Sequence, residues 1–218
     1  MDIMLSKQQR IITAAEKVFA SHGYEKATLD EIIALADVGK GTVYKYFGNK
    51  EQLFYQLVLK KNQLFVERLD AAVTHAQGLE AKLVAFFTEM ITFYKANAAL
   101  WQIICFEMLG NHNGCMVHSI NGIPTVVSRY EVELSPELKE QMIRYHLILE
   151  SEFSILQSII QTATDEKLLK PNDVEVSTMF VFFGVAMCIF HPHIGVESAS
   201  AEELAKIAVD RFLSGAKI

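Results

Sequence analysis

Proline, glycine and cysteine are scarce in this sequence, and each scarcity narrows the class of protein. The 218 residues include four prolines, eleven glycines and three cysteines. So few prolines and glycines leave long segments free to form helices. Three cysteines do not indicate a disulfide framework, and they fit a reduced, cytoplasmic protein. Repeats of fixed period and low-complexity segments are also missing, which excludes a repeat architecture.

Long apolar runs are missing as well. The longest, over residues 179–190, is interrupted only by Gly184, and it is too short to span a bilayer but typical of a buried helix. Residues 1–6 carry neither a basic region nor a long apolar stretch, so we expect no signal peptide and no membrane partner. Hydrophobic residues make up 51% of the chain, enough for one large domain or for a small domain followed by a larger one.

Positive charge is in deficit overall but not at the N-terminal end. The net charge is −6, yet residues 1–62 contain nine lysines and arginines against seven acidic residues, an excess of +2. The remaining residues contain eleven against nineteen, a balance of −8. A mildly basic head on an acidic body is compatible with phosphate contact at one end only.

Cap signals and apolar spacing predict two helices at the start of the chain. Ser6 suits the N-cap of the first, and Gly23 suits a left-handed position at its end. Thr28 and Glu31 form a capping box that opens the second helix. The apolar stripe of the first helix consists of Ile11, Ile12, Ala15, Val18 and Phe19. The inner face of the second consists of Leu29, Ile32, Ile33 and Ala36.

A short third helix is predicted from about Lys40 to Phe47, after a turn at 37–39. Val43 and Phe47, four residues apart, would anchor its inner face. Its outer face would carry Lys40, Thr42, Lys45 and Tyr46. Lys50 would lie in the first turn of a fourth helix. Amine, hydroxyl and phenol donors suit phosphate oxygens and base edges, so the pattern favours a helix-turn-helix over an ordinary helical corner.

Three segments, TLDEI (28–32), ADVGKGTVYKYF (36–47) and NKEQL (49–53), resemble the DNA-binding signature of the TetR family of transcriptional regulators. The resemblance extends over residues 9–58, about a quarter of the chain. Two positions depart from the family pattern. Asp37 stands where the turn usually has glycine, and Asp tolerates the left-handed conformation. Gly39 stands where serine or a similar residue usually caps the third helix.

The resemblance implies an all-α fold with two parts. A three-helix helix-turn-helix DNA-binding domain would occupy residues 1–50. A helical effector-binding and dimerisation domain would occupy 51–218, beginning with a connecting helix at 51–76. Thr28 would contact phosphate, Gly41 would allow close approach to the duplex, and Lys45 would read a base. Backbone or groove-edge contacts would come from Lys40, Thr42, Tyr44, Tyr46 and Lys50.

Helical spacing continues through the larger part, with an irregular stretch at 111–136. Helices are predicted at 79–95, 98–110, 137–164, 173–190 and 200–213. The helices 137–164 and 173–190 carry apolar residues on more than one face, which indicates a partner subunit. In the TetR family this pair forms the four-helix bundle of a homodimer. Two heads would then read a two-fold-symmetric double-stranded DNA operator.

Aromatic and methionine side chains in the larger part suit a small hydrophobic effector. The candidate lining residues are Phe87, Met90, Tyr94, Trp101, Phe106, Tyr145, Phe183 and Met187, and plain core packing is the alternative for each. Glu107, Glu150 and Glu152 lie among apolar residues and could attract a cationic ligand. Effector binding would shift the dimer to a form whose heads no longer fit the operator.

Metal binding and catalysis find little support. Two groups offer soft and imidazole ligands: His112, Cys115 and His118, and Cys188, His191 and His193. Their spacings match no established metal motif, so no metal and no cofactor are predicted, and whether they bind anything stays open. Glycine-rich phosphate loops and nucleophile–base pairs are missing, so we expect a regulator, not an enzyme. A regulator that acts through a protein partner is the remaining alternative.

Overall fold

The computed structural model describes residues 6–109, 115–120, 123–128, 133–171, 174–190 and 199–216. These residues are helical except for one β-hairpin and connecting turns, which confirms the all-α class. The helices are α1 (Lys7–Lys26), α2 (Leu29–Ala36), α3 (Lys40–Phe47), α4 (Lys50–His75), α5 (Leu79–Ala96), α6 (Ala98–Leu109), α7 (Pro136–Asp165), α8 (Val174–Phe190) and α9 (Ala201–Ala216). Among the described residues, no helix is long and apolar enough to cross a membrane.

The chain divides into two compact units. The head unit consists of Met1–Gln63 with Ala99–Ile104, and the body unit of Leu64–Ala98 with Cys105–Ile218. The boundary between Gln63 and Leu64 falls inside α4 (Lys50–His75), so the first part of this helix belongs to the head unit and the rest to the body unit. The predicted division of function at residue 50 stays a prediction.

The core of the head unit is built by α1 to α4. The predicted stripe of α1 is buried throughout. The rings of Phe19, Tyr24 and Phe54 pack against one another, and the Phe19 centroid lies 5.8 Å from that of Tyr24 and 5.1 Å from that of Phe54. Gly23, at a φ of 73°, interrupts the helical backbone within α1 and turns its last residues. A side chain at such a positive φ would be strained, so the sequence has glycine there.

The core of the body unit lies between α5, α7, α8 and α9. Helix α5 packs against α7, α8 and α9, and α7 also packs against α8. Phe65 of α4 stacks on Phe93 of α5 with parallel rings 4.1 Å apart. The large side chains buried in this unit include Phe86, Phe87, Met90, Tyr94, Tyr145, Leu156, Ile160 and Phe182.

A β-hairpin occupies part of the stretch that was predicted to be irregular. Strand β1 (Cys115–Ile120) pairs antiparallel with β2 (Ile123–Ser128). Val117 lies opposite Val126, and both pack on a small cluster around Leu134 and Met142 of the body unit. An isolated hairpin is marginally stable in water, so this packing against α7 explains why the strands form here.

Candidate nucleic-acid interface and ligand site

The start of α2 is fixed by the predicted capping box. The Glu31 N–H donates to Thr28 Oγ1 (3.3 Å), while the Thr28 N–H donates to Glu31 Oε2 (2.9 Å). The Thr28 hydroxyl also donates to Glu31 Oε2 (2.8 Å). The bonds from the Thr28 side chain and backbone, with a weaker attraction from His22, lower the pKa of the Glu31 carboxyl. Thr28 is exposed at this helix N-terminus, where an anion is favoured.

The turn between α2 and α3 takes the conformation expected for Asp37. Its φ of 51° and ψ of 57° are left-handed. Arg10 of α1 holds the turn, since its Nη2 donates to the Asp37 carbonyl oxygen at 2.7 Å and its Nη1 to Oδ2 at 3.4 Å. Asp37 therefore replaces the usual glycine without loss of the turn, and the guanidinium ties the turn to α1.

Helix α3 presents the outer face that its apolar spacing predicts. Val43 and Phe47 are buried, at 1% and 4% exposure. Tyr44 and Tyr46 are exposed, at 46% and 44%. Lys40, Gly41 and Lys45 are also exposed, and Thr42 is half-buried. The N-cap Gly39 makes no side-chain cap bond, as expected, so the first turn of α3 is held less firmly than that of α2.

One cation on this face already has an acidic neighbour. Lys40 Nζ lies 3.3 Å from Asp30 Oδ1 and 5.9 Å from the centre of the Tyr44 ring. Both members of the ion pair are well exposed, so the pair contributes little to stability and a DNA phosphate can compete for the ammonium.

Lys50 has a set of contacts that sequence reasoning missed. Its ammonium donates to the carbonyl oxygens of Tyr24 (2.9 Å), Ala27 (3.2 Å) and Glu25 (3.3 Å). It also lies 4.5 Å from the centre of the Tyr24 ring. One sequence signal was available, because a lysine in the first turn of a helix opposes the helix dipole. The carbonyl oxygens at the end of α1 offset this unfavourable interaction, because they accept hydrogen bonds from the Lys50 ammonium.

The eight predicted lining residues do not form one group. Phe87, Met90 and Tyr94 of α5 and Tyr145 of α7 are all buried in the body unit. Phe183 of α8 is half-buried there. Met187 is 52% exposed, so it lies on the outer surface of this chain. Trp101 is buried but belongs to the head unit. The side chain of Phe106 lies outside the described residues.

Glu152 is the most unusual group in the body unit. It lies on the core-facing stripe of α7 and is completely buried. The Tyr94 hydroxyl donates to its Oε2 at 2.8 Å, while no described residue bonds to its Oε1. Burial outweighs this single bond and raises the pKa of Glu152 to about 8. The carboxyl is therefore mostly neutral at pH 7. Glu150 is half-buried, and the side chain of Glu107 lies outside the described residues.

A groove on the body unit runs along α7 and has a volume of about 470 Å³. Its walls carry charged and hydroxyl side chains as well as apolar ones, and they contain none of the predicted lining residues. The groove is lined by Asp70, Val73, Gly78, Leu79, Lys82, Ser154, Ile155, Ser158, Ile159, Thr162, Ala163, Glu166 and Leu168.

Helix α8 has an exposed apolar face. Phe180 is 79% exposed, and Val176 and Met187 are about half exposed. These positions recur every four and seven residues and therefore form one stripe. An apolar stripe of this kind is typical of a surface that another chain covers.

The candidate metal ligands are only partly described. Cys188 is exposed on α8 and is a free thiol. The side chains of Cys115 and His118 lie outside the described residues, as do His112, His191 and His193. Among the described residues, no cluster of three or more histidine, cysteine or acidic groups could hold a metal ion.

Comparison with known proteins gives the same result for the head unit. Residues 11–57 match the family described as bacterial regulatory proteins, tetR family. The chain is 24% identical to the fatty acid metabolism regulator protein of Bacillus subtilis over 81% of this chain and 78% of that relative. It is 38% identical to the probable acrEF/envCD operon repressor of Escherichia coli over 37% of this chain and 39% of the relative.

Solved structures share the fold over nearly the whole chain. The transcriptional regulator FadR from Bacillus subtilis, in complex with stearoyl-CoA, superposes with a TM-score of 0.70 at 20% identity. The alignment covers 94% of this chain and 97% of the other. FadR from Bacillus halodurans gives the same values. The family match at residues 11–57, the helix-turn-helix geometry and these likenesses agree, and together they support a TetR-family transcriptional regulator.

Proposed function

We propose that this protein is a repressor that binds a two-fold operator as a homodimer and leaves it when a hydrophobic effector binds the body unit. The outer face of α3 is the observation that carries the proposal. Val43 and Phe47 bury its inner side and so fix the outward direction of the donors. The proposed DNA contacts are Thr28, Lys40, Gly41, Thr42, Tyr44, Lys45 and Tyr46.

Lys45 is the proposed base-reading residue. Its side chain is exposed in the middle of the outer face of α3, where a recognition helix meets the major groove. The first step of the test is to select binding duplexes from a randomised pool. Lys45→Ala should weaken binding to the selected site by about 1–3 kcal/mol and relax specificity at one base pair. Lys17→Ala, the same charge change on the exposed side of α1, is the control and should retain specificity.

Dimerisation is proposed through α7 and α8, the helices predicted at 137–164 and 173–190. The exposed stripe of Val176, Phe180 and Met187 supports this, because a second copy would cover it. A dimer would place two heads on successive turns of one duplex face. Operator selection should then return an inverted repeat. Recovery of a single, asymmetric half-site would contradict the dimeric arrangement.

The proposed effector is a molecule with a long apolar part. Two observations support this: the aromatic and methionine side chains of the body core, and the likeness to a FadR structure that contains stearoyl-CoA. Stearoyl-CoA should therefore release the protein from its selected operator at micromolar concentration, whereas free coenzyme A should not. If neither stearoyl-CoA nor shorter acyl-CoA esters change occupancy, this effector class is wrong. The proposal includes a cytoplasmic location.

A further inference from the structure

The side chain of Lys50 connects two parts of the head unit that are distant in sequence. Lys50 begins α4, while its three carbonyl partners belong to Tyr24, Glu25 and Ala27, where α1 ends. An ammonium group has three N–H donors, and three acceptors surround this one. The Tyr24 ring lies beside it at 4.5 Å. The amine is therefore directed into the protein and towards the α1–α2 connection.

The backbone that Lys50 holds needs an external support. Gly23, at a φ of 73°, has a non-helical backbone within α1, and the Ala27 N–H after it donates to the Gly23 carbonyl oxygen at 3.3 Å. The last carbonyl oxygens of a helix have no following N–H within that helix, so they accept hydrogen bonds from other groups. The Lys50 ammonium satisfies three of them at once. The bend therefore depends on a side chain from another helix.

Thr28 follows directly after this bend, and its position sets the start of α2. Lys50 lies close after α3 in sequence. Helix α3 ends at Phe47, and a two-residue turn at 48–49 leads to Lys50, the first residue of α4. The Lys50 amine thus links the connection before α2 to the connection after α3. Movement of one connection relative to the other would change the distance between Thr28 and the outer face of α3.

We propose that Lys50 is a positioning residue for DNA binding, whose ammonium locks the α1–α2 connection to α4 and does not itself bind phosphate. This differs from the phosphate contact that the sequence resemblance implies for Lys50. It rests on the proposed DNA-binding surface, because its effect on affinity is exerted through Thr28 and α3.

Hydrogen exchange of the DNA-free protein tests the lock directly. Lys50→Met keeps most of the aliphatic stem but removes the three donors. Amides in residues 23–31 should exchange at least about tenfold faster in this variant, because the bend loses its support. Lys50→Arg should restore protection, since a guanidinium also donates to carbonyl oxygens. Unchanged exchange in Lys50→Met would overturn the proposal.

Salt dependence of binding to the selected operator separates positioning from phosphate contact. A residue that neutralises one phosphate contributes about 0.9 to the slope of log K against log salt. We expect Lys50→Met to bind about tenfold more weakly at every salt concentration with the wild-type slope. A slope reduced by about 0.9 per head would show a direct phosphate contact and overturn the proposal.

A stability-matched variant separates positioning from general destabilisation. Ile11→Val weakens the head core at a fully buried position of α1. With both variants fully folded at low temperature, only Lys50→Met should lose operator affinity. Equal losses would reduce Lys50 to a structural role and contradict the inference. Failure of the wild-type protein to select any duplex would instead contradict the proposed function and leave the hydrogen-exchange result as the measure of the lock.

Discussion

Glu152→Gln is expected to make this protein more stable at neutral pH. Glu152 is completely buried, and among the described residues its hydrogen-bond donor is the Tyr94 hydroxyl. Glutamine has nearly the same shape, keeps an oxygen that can accept this bond, and cannot ionise. The substitution therefore removes the titration of the buried group while it leaves the packing of α5 against α7 in place.

The magnitude follows from the difference between the folded and unfolded pKa values. Burial raises the pKa of Glu152 from 4.5 to about 8 in the folded protein. The native state therefore holds its proton more tightly than the unfolded state does. Stability is greatest below pH 4.5, falls as the pH rises from 4.5 to 8, and levels off above 8. At pH 7 the penalty is about 3 kcal/mol, since each pKa unit corresponds to about 1.4 kcal/mol.

Urea denaturation of both proteins between pH 5 and pH 9 is the assay. The variant should gain less than about 1 kcal/mol over wild type at pH 5 and about 3 kcal/mol at pH 7. Glu150→Gln is the control, because Glu150 is only half-buried on the same helix, and it should reproduce the wild-type pH profile. An advantage of Glu152→Gln that does not grow with pH would refute the reasoning, because a buried neutral carboxyl must produce that growth.

Two further predictions concern a helix cap and the dimer. Gly39→Ser should supply the missing cap of α3, since a Cβ at Gly39 meets only Thr42 Oγ1, 3.9 Å away. The variant should be more stable to unfolding by a few tenths of a kcal/mol, and amides in α3 should exchange more slowly. Faster exchange would contradict the cap. Phe180→Glu should convert the proposed dimer to a monomer in sedimentation velocity, because it puts a charge on the apolar stripe of α8. Ile207→Glu on α9, also at an exposed position, should leave the dimer intact.

Short-range features of this fold could be predicted from sequence. The capping box of Thr28 and Glu31, the Ser6 cap and the left-handed Asp37 all depend on residues within a few positions of one another. Such local chemistry is determined by residue type and spacing. The inner and outer faces of α3 followed from Val43 and Phe47 for the same reason.

Long-range contacts could not be predicted from sequence. Glu152 is 58 residues from Tyr94, and Lys50 is 26 residues from Tyr24. Periodicity places Glu152 near apolar residues, but only the packing of α5 on α7 decides that it is fully buried. The hairpin is a different case, because a signal was present: the Asn121-Gly122 pair between two runs with β-branched residues is typical of hairpin turns.

Many of the cations in the head unit have partners within the protein. Arg10 contacts Asp37, Lys40 contacts Asp30, Lys61 contacts Glu16, and Lys60 donates to Gln9. Lys50 is held by carbonyl oxygens. Five of the nine lysines and arginines in residues 1–62 thus have partners within the protein, so a single head can neutralise few phosphates unless DNA displaces those partners.

Operator affinity should therefore depend on joining two heads more than on charge. In the proposed dimer the second head binds at a high effective concentration once the first is bound, so a modest affinity per head is multiplied. Phe180→Glu, which changes nothing in the head unit, should then reduce operator affinity by more than about a hundredfold. Its salt slope should fall to about half, because only one head remains on the duplex. A monomeric variant with nearly wild-type affinity would mean that one head supplies most of the binding energy, contrary to this reasoning.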